Sequence, residues 1–352
     1  MQSAATVTEP LPPQAIVMQM AMGALVTKVI AEATRLNIPD LVKRYGPLSV
    51  QDLIAKGGFG ADPSALQRVL RACAGAGVFT EDESGRFGHN ELSDTLTSDS
   101  PVSVKKIVEL FGGMIARVAA ELDATVRTGQ PQVRAVYNME LWEYLNANPK
   151  ELEEFGEAMK SNSLNSLRGV LEKCDFSEAR RVADIGGEFG HMALALIEKY
   201  PHLEAVVLDR HEVVRVARQH LPVNDPRTAE RLDYIHGDMF ESVPVADVYI
   251  MKHIIHDWED EKCIQLLKNC CRSMHSGGRV VCVDAVLPPM GNTAGMPAKL
   301  LDIVMLTHIT GKERTEQEWT DLYRAAGLQI RSITPIQDNF GTSIVEGVKH
   351  NA

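Results

Sequence analysis

Two histidines lie three residues apart in the stretch KHIIHDWEDEKC, residues 252–263, and an Asp–Trp pair and further acids follow them. An imidazole has an ordinary pKa of about 6.5, so it can accept a proton near neutral pH and act as a general base. The acids are also typical of a helix start, where they interact with the positive end of the helix dipole. Asp257 is therefore expected to cap a helix, and the role of His256 depends on the residues that the fold brings next to it.

Three other acids lie near the ends of short β-branched segments in the second half of the chain. Asp184 precedes the segment IGGEFG, Asp209 ends EAVVLD, and Asp238 ends DYIHGD. In an open parallel sheet, ligands bind outside the carboxyl ends of the strands. Asp209 is then suited to accept hydrogen bonds from both hydroxyls of a ribose, and Asp238 and Met239 are suited to bracket an adenine.

The glycine-rich segment favours a cofactor that carries no phosphate. Its spacing is G-G-x-x-G rather than the G-x-G-x-x-G of dinucleotide sites, and Glu188 within it would repel a pyrophosphate. Gly186 and Asp184 leave room for a cationic amino-acid end. Ribose, adenine, a positive charge and no phosphate together describe S-adenosylmethionine. A single strand-end Asp more often caps the next helix, but three of them beside glycines favour a cofactor site.

The elements around these acids predict an α/β domain over residues 171–352. From about residue 180, short apolar strands alternate with helical windows, which is typical of a mostly parallel sheet covered on both faces. The last two strands, LQIRSITPI and TSIVEGVK, are expected to pair as an antiparallel hairpin at one edge. A helix from about residue 258 to residue 274 is expected to follow His256.

Residues 1–170 are predicted to form a second, mainly helical domain. The apolar segment 15–33 predicts an amphipathic helix that needs a partner, because its polar residues interrupt it too often for a bilayer span. Residues 48–90 have the outline of a winged helix-turn-helix, with helices after Ser49 and Asp62 and then a hairpin. DNA binding is one interpretation, but the acids of the hairpin would be repelled by phosphate. Packing and oligomerisation are favoured.

Composition opposes several classes of function. The net charge of -11 and the isoelectric point of about 5.5 oppose nucleic-acid binding and give no reason to expect a membrane surface as partner. The six cysteines form no C-x-x-C pair, which predicts reduced, buried thiols in a cytoplasmic protein. No His, Asp and Glu residues follow a metal-ligand spacing, so no metal is expected.

The second half also carries the motifs of a known enzyme family. GDMF, MKHIIHDWEDEKC, LLKNC, LPP, LLDIVML, GKERTEQEW and AAGL occur in this order and resemble the small-molecule O-methyltransferases typified by plant caffeic acid and chalcone O-methyltransferases. The resemblance implies a Rossmann-like class I methyltransferase sheet, a winged-helix dimerisation domain, S-adenosylmethionine as cofactor, and a homodimer. It also implies that His256 is the catalytic base, that Glu313 flanks it, and that the cofactor contacts are Lys252, Gly186, Asp209, Asp238 and Met239.

Several positions depart from the family pattern. The second acid that flanks the base is a Glu in the family but Asp284 here, one methylene shorter, and Glu188 replaces the third glycine of the loop. His253 replaces an aromatic residue of the substrate pocket. A methionine clamp on a flat ring and further pocket residues are also expected, although the resemblance does not identify the acceptor; these candidates are Met159, Met305, Asp257 and His308. Met18 or Met22 of a partner subunit is expected near the pocket.

The chemistry implied is methyl transfer to the hydroxyl of an aromatic, phenolic or polyketide-like small molecule. A phenol has a pKa of about 10, so a base must take its proton as the oxygen attacks the sulfonium methyl. Asp284 and Glu313 would orient His256 and stabilise its imidazolium form, and alignment of oxygen, methyl and sulfur completes the transfer. The alternatives are a relative recruited to decarboxylation, hydroxylation or rearrangement, a DNA-binding regulator, and a nicotinamide-dependent dehydrogenase.

Overall fold

The structure, a computed structural model, describes residues 11–220 and 226–349. Contacts within the chain divide it into two units. The first unit runs to Arg117 and includes Lys150–Ser161, and the second comprises Val118–Pro149 and the chain from Asn162 onward. The division of function at residues 170 and 171 stays a prediction.

The first unit is mainly helical, as expected. The segment predicted as one helix over residues 15–33 is two helices, bent by 44° at Met22 and Gly23, where glycine has a low helix propensity. Among the described residues no single helix is long and apolar enough to cross a membrane. Only this bent pair, taken as one segment, has the length and the apolar composition that a membrane span needs. The helices of the first unit are Pro13–Ala21, Gly23–Arg35, Ile38–Tyr45, Val50–Gly57, Pro63–Gly75, Glu91–Asp94, Lys105–Leu110 and the π-helix Phe111–Ile115.

The elements expected over residues 48–90 are present. Ser49 caps the helix Val50–Gly57 by accepting from the Asp52 amide, and Asp62 caps Pro63–Gly75 by accepting from Ala65. Strands β1 (Thr80–Glu81) and β2 (Phe87–Gly88) form the antiparallel hairpin. Arg71, on the second of these helices, pairs with Glu81 of the hairpin at 3.1 Å.

The second unit is built on one mixed sheet. Its strands are β3 (Arg181–Ile185), β4 (Glu204–Asp209), β5 (Leu232–His236), β6 (Ala246–Lys252), β7 (Met274–Leu287), β8 (Arg314–Thr315), β9 (Leu328–Pro335) and β10 (Thr342–Lys349). The order is β5-β4-β3-β6-β7-β10-β9, with β8 beside the end of β7. The first five strands of this order are parallel, and β10 and β9 form the expected antiparallel hairpin, with β9 at the edge.

Helices cover both faces of this sheet, which is why its strands are apolar throughout. Successive residues of β3 enter different cores: Ala183 and Ile185 pack into one, and Val182 packs into the other. The larger of these side chains, Val182 and Ile185, each contribute about 1.5–3 kcal/mol when fully buried. The helices here are Leu122–Thr128, Val133–Tyr137, Leu141–Ala147, Pro149–Lys173, His191–Lys199, His211–His220, Pro226–Ala229, Asp260–Ser273, Met296–His308 and Glu316–Ala325, while Ala116–Ala119 and Pro149–Lys173 each belong to both units.

Two expected boundaries are wrong. The helix after His256 begins at Asp260, with Glu259 and not Asp257 as its N-cap, because residues 255–257 form a 3₁₀ turn and Trp258 is extended. Strand β5 ends at His236, so Asp238 lies two residues beyond the strand. All parallel strand ends nevertheless meet at one edge, where the candidate site lies.

Candidate active site

His256 lies in the 3₁₀ turn Ile255–Asp257, just beyond the carboxyl end of β6, and only 7% of it is exposed. Its Nδ1 and Glu313 Oε1 are 2.7 Å apart, and an oxygen of Asp284 lies 3.7 Å from the same nitrogen. Because β8 pairs with the end of β7, the fold itself brings Glu313 beside Asp284. A proton held on Nδ1 by a carboxylate leaves Nε2 as the proton acceptor of the neutral ring.

The enclosing carboxylates shift the pKa of His256. Burial lowers this pKa, but the charges of Glu313 and Asp284 outweigh burial and raise it to about 10. Burial also raises the pKa of Asp284 to about 7 and that of Asp257 to about 6. The arrangement therefore stabilises the imidazolium form of His256, which is the form that a general base adopts in the transition state.

Arg314 fixes the turn that carries His256. This buried guanidinium donates to the carbonyl oxygens of Ile255 at 3.0 Å and Trp258 at 2.9 Å, and it pairs with Asp260 at 2.7 Å. Gly311 lies against the same turn, where an added Cβ would overlap the carbonyl oxygen of His256. The GKER motif in the sequence predicted a role for Glu313 but none for Arg314.

A second imidazole lies against the first. The rings of His253 and His256 are stacked, with centroids 5.0 Å apart and planes inclined by 26°. The Nε2 of His253 accepts a hydrogen bond from Asn162 Nδ2 at 3.1 Å, and its Nδ1 lies 3.6 Å from Asp284. Burial, with the positive charges of Lys252 and His256, holds the pKa of His253 well below its ordinary value, so this ring is neutral. No sequence motif pointed to Asn162.

His253, His256 and Asp284 also bring three ligand-type atoms within 4.8 Å of one another, a grouping that their sequence spacing does not reveal. Two features oppose a metal here. The Nδ1 of His256 is engaged by Glu313, and lone pairs that lie in ring planes only 26° apart do not converge well on one ion. The expectation of no metal stays a prediction.

The strand-end acids gather around the glycine loop. Asp184 is buried and accepts from the amide of Ala193, in the first turn of the next helix, so it performs the capping role that is common for such residues. Its burial raises its pKa to about 7. Asp209 accepts from the amide of Glu188 at 2.9 Å, and Gly186 has a φ of +67°, a conformation that favours glycine.

The remaining cofactor candidates border the same edge. Asp238 is exposed and accepts from the Phe240 amide at 2.8 Å, and Met239 packs against the core. Lys252 ends β6, where burial lowers its pKa against the opposing charges of Glu188 and Asp184. An edge at which carboxylates predominate suits ribose hydroxyls and a cationic amine and disfavours phosphate, so the residues fit the expected cofactor.

The substrate candidates are less closely grouped than the base and its partners. Asp257 lies 3.5 Å from His256 Nε2, and His253 contacts the base directly. Met305 and His308 lie one turn apart on the helix Met296–His308, and both are buried. Among the described residues, His308 Nε2 has no hydrogen-bond partner. Met159 lies, partly buried, in the portion of Pro149–Lys173 that belongs to the first unit.

Two family models match the chain. The O-methyltransferase domain matches residues 119–329, and the O-methyltransferase dimerisation domain matches residues 18–99. The chain belongs to the O-methyltransferase family. The expected resemblance, the α/β fold with a helical dimerisation region, and the small-molecule methyltransferase class are thereby confirmed.

Individual relatives agree over nearly the whole chain. The phenazine O-methyltransferase PhzM of Lysobacter antibioticus is 32% identical over 337 residues, 96% of each chain. The solved structure of CalO1, a methyltransferase in calicheamicin biosynthesis with SAH bound, has a TM-score of 0.83 and 31% identity, covering 97% of this chain and 100% of that one.

The human N-acetylserotonin methyltransferase, solved in complex with SAM, has a TM-score of 0.86 and 26% identity, covering 99% of this chain and 100% of that one. This O-methyltransferase therefore uses S-adenosylmethionine, the cofactor expected from its strand-end acids. The individual residue roles at the site are taken up below as proposals.

Proposed function

We propose that this O-methyltransferase methylates a phenolic hydroxyl of an aromatic small molecule, with His256 as general base. The observation that carries the proposal is the buried imidazole with Nδ1 on Glu313 and Asp284 nearby. This arrangement fixes the tautomer in which Nε2 accepts the substrate proton, and it stabilises the imidazolium that forms. When bound, S-adenosylmethionine supplies a methyl carbon on a positively charged sulfur.

The base acts only in its neutral form. With a pKa of about 10 in the protein alone, His256 holds a proton at neutral pH, and that proton must leave before a phenol can be deprotonated. The positive charge of a cofactor bound near the imidazolium would favour the loss of this proton. The rate is therefore expected to rise with pH along an acidic limb that belongs to His256.

Asp209, Asp238, Met239, Lys252 and the loop at Gly186 and Asp184 are proposed to hold the cofactor. Their support is that the ends of β3, β4, β5 and β6 are neighbours in the sheet and that carboxylates predominate there. His253, Asp257, Met305 and His308, all of the second unit, are proposed to line the acceptor pocket. Met159, in the first unit, stays a prediction from the sequence. The Nε2 of His308, which no described residue pairs with, would suit a polar group on an otherwise flat ligand.

The acceptor class is supported by the names of relatives that act on ring compounds, a phenazine and N-acetylserotonin. A panel of phenols incubated with S-adenosylmethionine should give a methyl ether and one equivalent of S-adenosylhomocysteine. Conversion of a substrate without release of S-adenosylhomocysteine would instead favour a recruited, non-methylating reaction.

His256→Ala tests the base. Its kcat should fall at least about 100-fold at neutral pH, while cofactor binding is retained. His202→Ala is the control, because His202 is exposed on the surface and should have no effect. Full activity in His256→Ala would remove the base assignment and leave the cofactor site standing.

A homodimer is proposed from the dimerisation domain and from the exposed apolar residues of the first two helices. Met18 and Met22 are 57% and 47% exposed in the single chain, as a surface that packs against another subunit would be.

A further inference from the structure

His253 has four unusual features at one position. Its φ of +53° is rare for a residue other than glycine, and such backbone strain tends to occur at functional sites. Its side chain is 9% exposed, its ring is stacked on His256, and its backbone amide donates to Val283 at 3.1 Å. A residue that only filled the pocket wall would not need an imidazole in this backbone conformation.

The hydrogen bond from Asn162 determines where the proton of His253 lies. An amide nitrogen can only donate, so the Nε2 of His253 must be the acceptor, and the neutral ring carries its proton on Nδ1. This Nδ1 lies 3.6 Å from an oxygen of Asp284, too far for a formed hydrogen bond. Both oxygens of Asp284 and the Nδ1 of His253 are buried without any hydrogen-bond partner in the described chain.

Asp284 is thus a buried carboxylate between two imidazoles, with Nδ1 of His256 at 3.7 Å and Nδ1 of His253 at 3.6 Å. A buried anion without donors is costly, so the nearest uncommitted N–H governs how well it stays ionised and in place. The other titratable groups around the two rings are Lys252, Asp257 and Glu313.

We propose that His253 is a positioning residue: with its tautomer fixed by Asn162, it orients the carboxylate of Asp284 and the ring of His256. This inference rests on the proposed role of His256 as base. It also explains how a carboxylate one methylene shorter than a Glu can still serve the base, because a neighbouring N–H, 3.6 Å away, favours its charged form.

The first test needs no catalysis. In protein labelled with ¹⁵N-histidine, without ligand at pH 7, the resonances lost in His253→Asn should belong to a neutral ring protonated on Nδ1. Asn162→Leu should change that tautomer signature. A charged ring, or a proton on Nε2, would overturn the proposal whether or not the chain methylates phenols.

The second test is a double-substitution cycle. His253→Ala should lower kcat about 10-fold with a change in KM below about 2-fold, and should move the acidic limb of the rate profile to lower pH, because a less ionised Asp284 stabilises the imidazolium less. His253→Asn keeps an N–H donor and tolerates positive φ, so it should recover kcat to within about 3-fold of the wild type.

In the Asp284→Asn background, His253→Ala should change neither kcat nor the acidic limb further. Fully additive losses, or a loss confined to KM, would show that His253 only lines the pocket and would refute its action through Asp284. A wild type without methyl transfer would instead refute the function, and the tautomer measurement would still decide the placement of His253.

Discussion

At the scale of single residues, the charge balance around His256 sets when the base is available. Glu313 is the largest of the charges that raise the pKa of this imidazole. In Glu313→Gln, the neutral amide no longer favours the charged ring, so the acidic limb of log kcat/KM should shift to lower pH. The maximal rate should fall about 10- to 100-fold, because the imidazolium formed in the transition state is also less stabilised.

The measurement is kcat/KM against pH over the full acidic limb. Glu316→Gln, at an exposed position three residues away, is the matched control and should leave the limb in place. A limb that moves to higher pH in Glu313→Gln would contradict the electrostatic account, whatever the loss of rate.

Glu188 provides a separate prediction about strain. Its φ of +51° is unfavourable for a residue with a Cβ. Without cofactor, Glu188→Gly should therefore raise the free energy of unfolding by about 1 kcal/mol, the left-handed penalty less the entropy cost of glycine. The same variant should bind S-adenosylmethionine more weakly if the carboxylate contacts the methionine amine.

Denaturant unfolding and binding titration measure the two effects independently. Glu198→Gly, in the helix His191–Lys199 where φ is negative, is the control and should lose about 1 kcal/mol. If Glu188→Gly binds S-adenosylmethionine as tightly as the wild type, the strained backbone at Glu188 has no role in cofactor binding.

At the scale of elements, the sequence predicted the sheet well because its strands are apolar on both faces. The strand EAVVLD has the expected limits, and the terminal hairpin is present. The start of the helix after His256 was wrong, because Arg314, 54 residues beyond Asp260, decides the local conformation of this turn. A distant side chain leaves no local signal in the turn, and the contact of Asn162 with His253, 91 residues apart, was missed for the same reason.

Arg314 gives the prediction for this turn. Arg314→Met fills similar volume but removes the donors to the carbonyls of Ile255 and Trp258. Leaving these groups unpaired should cost about 2–4 kcal/mol of stability, and the loosened turn should lower kcat by at least about 10-fold. Thermal or denaturant unfolding measures the loss of stability, and initial rates measure the loss of kcat.

Arg324→Met is the control, because the Arg324 side chain is 68% exposed and pairs with Asp321 on its own helix. It should change stability by less than about 0.5 kcal/mol. Normal rates in Arg314→Met would mean that the base is held without the guanidinium.

At the scale of the whole molecule, one edge of the sheet collects both halves of the proposed chemistry. The ends of β3, β4, β5 and β6 carry the cofactor candidates. The turn after β6 carries the base, and its partners lie near the end of β7 and just before β8. This follows from the parallel direction of β5 to β7, since parallel strands present all their carboxyl ends on the same side. The described part of the helical unit has no parallel sheet, but it presents an exposed apolar surface.

That surface predicts the assembly state. None of the residues of the helix Pro13–Ala21 is buried, and Val17 and Met20 are 62% and 65% exposed. A surface this apolar is costly in water unless a partner covers it. The molar mass by light scattering should therefore be that of two chains, and Val17→Glu with Met20→Glu should shift it toward one. Leu92→Glu, at a residue 54% exposed in the same unit, is the control and should leave the mass unchanged. A wild type with the mass of one chain, or a doubly charged variant that remains a dimer, would show that these helices do not form the interface.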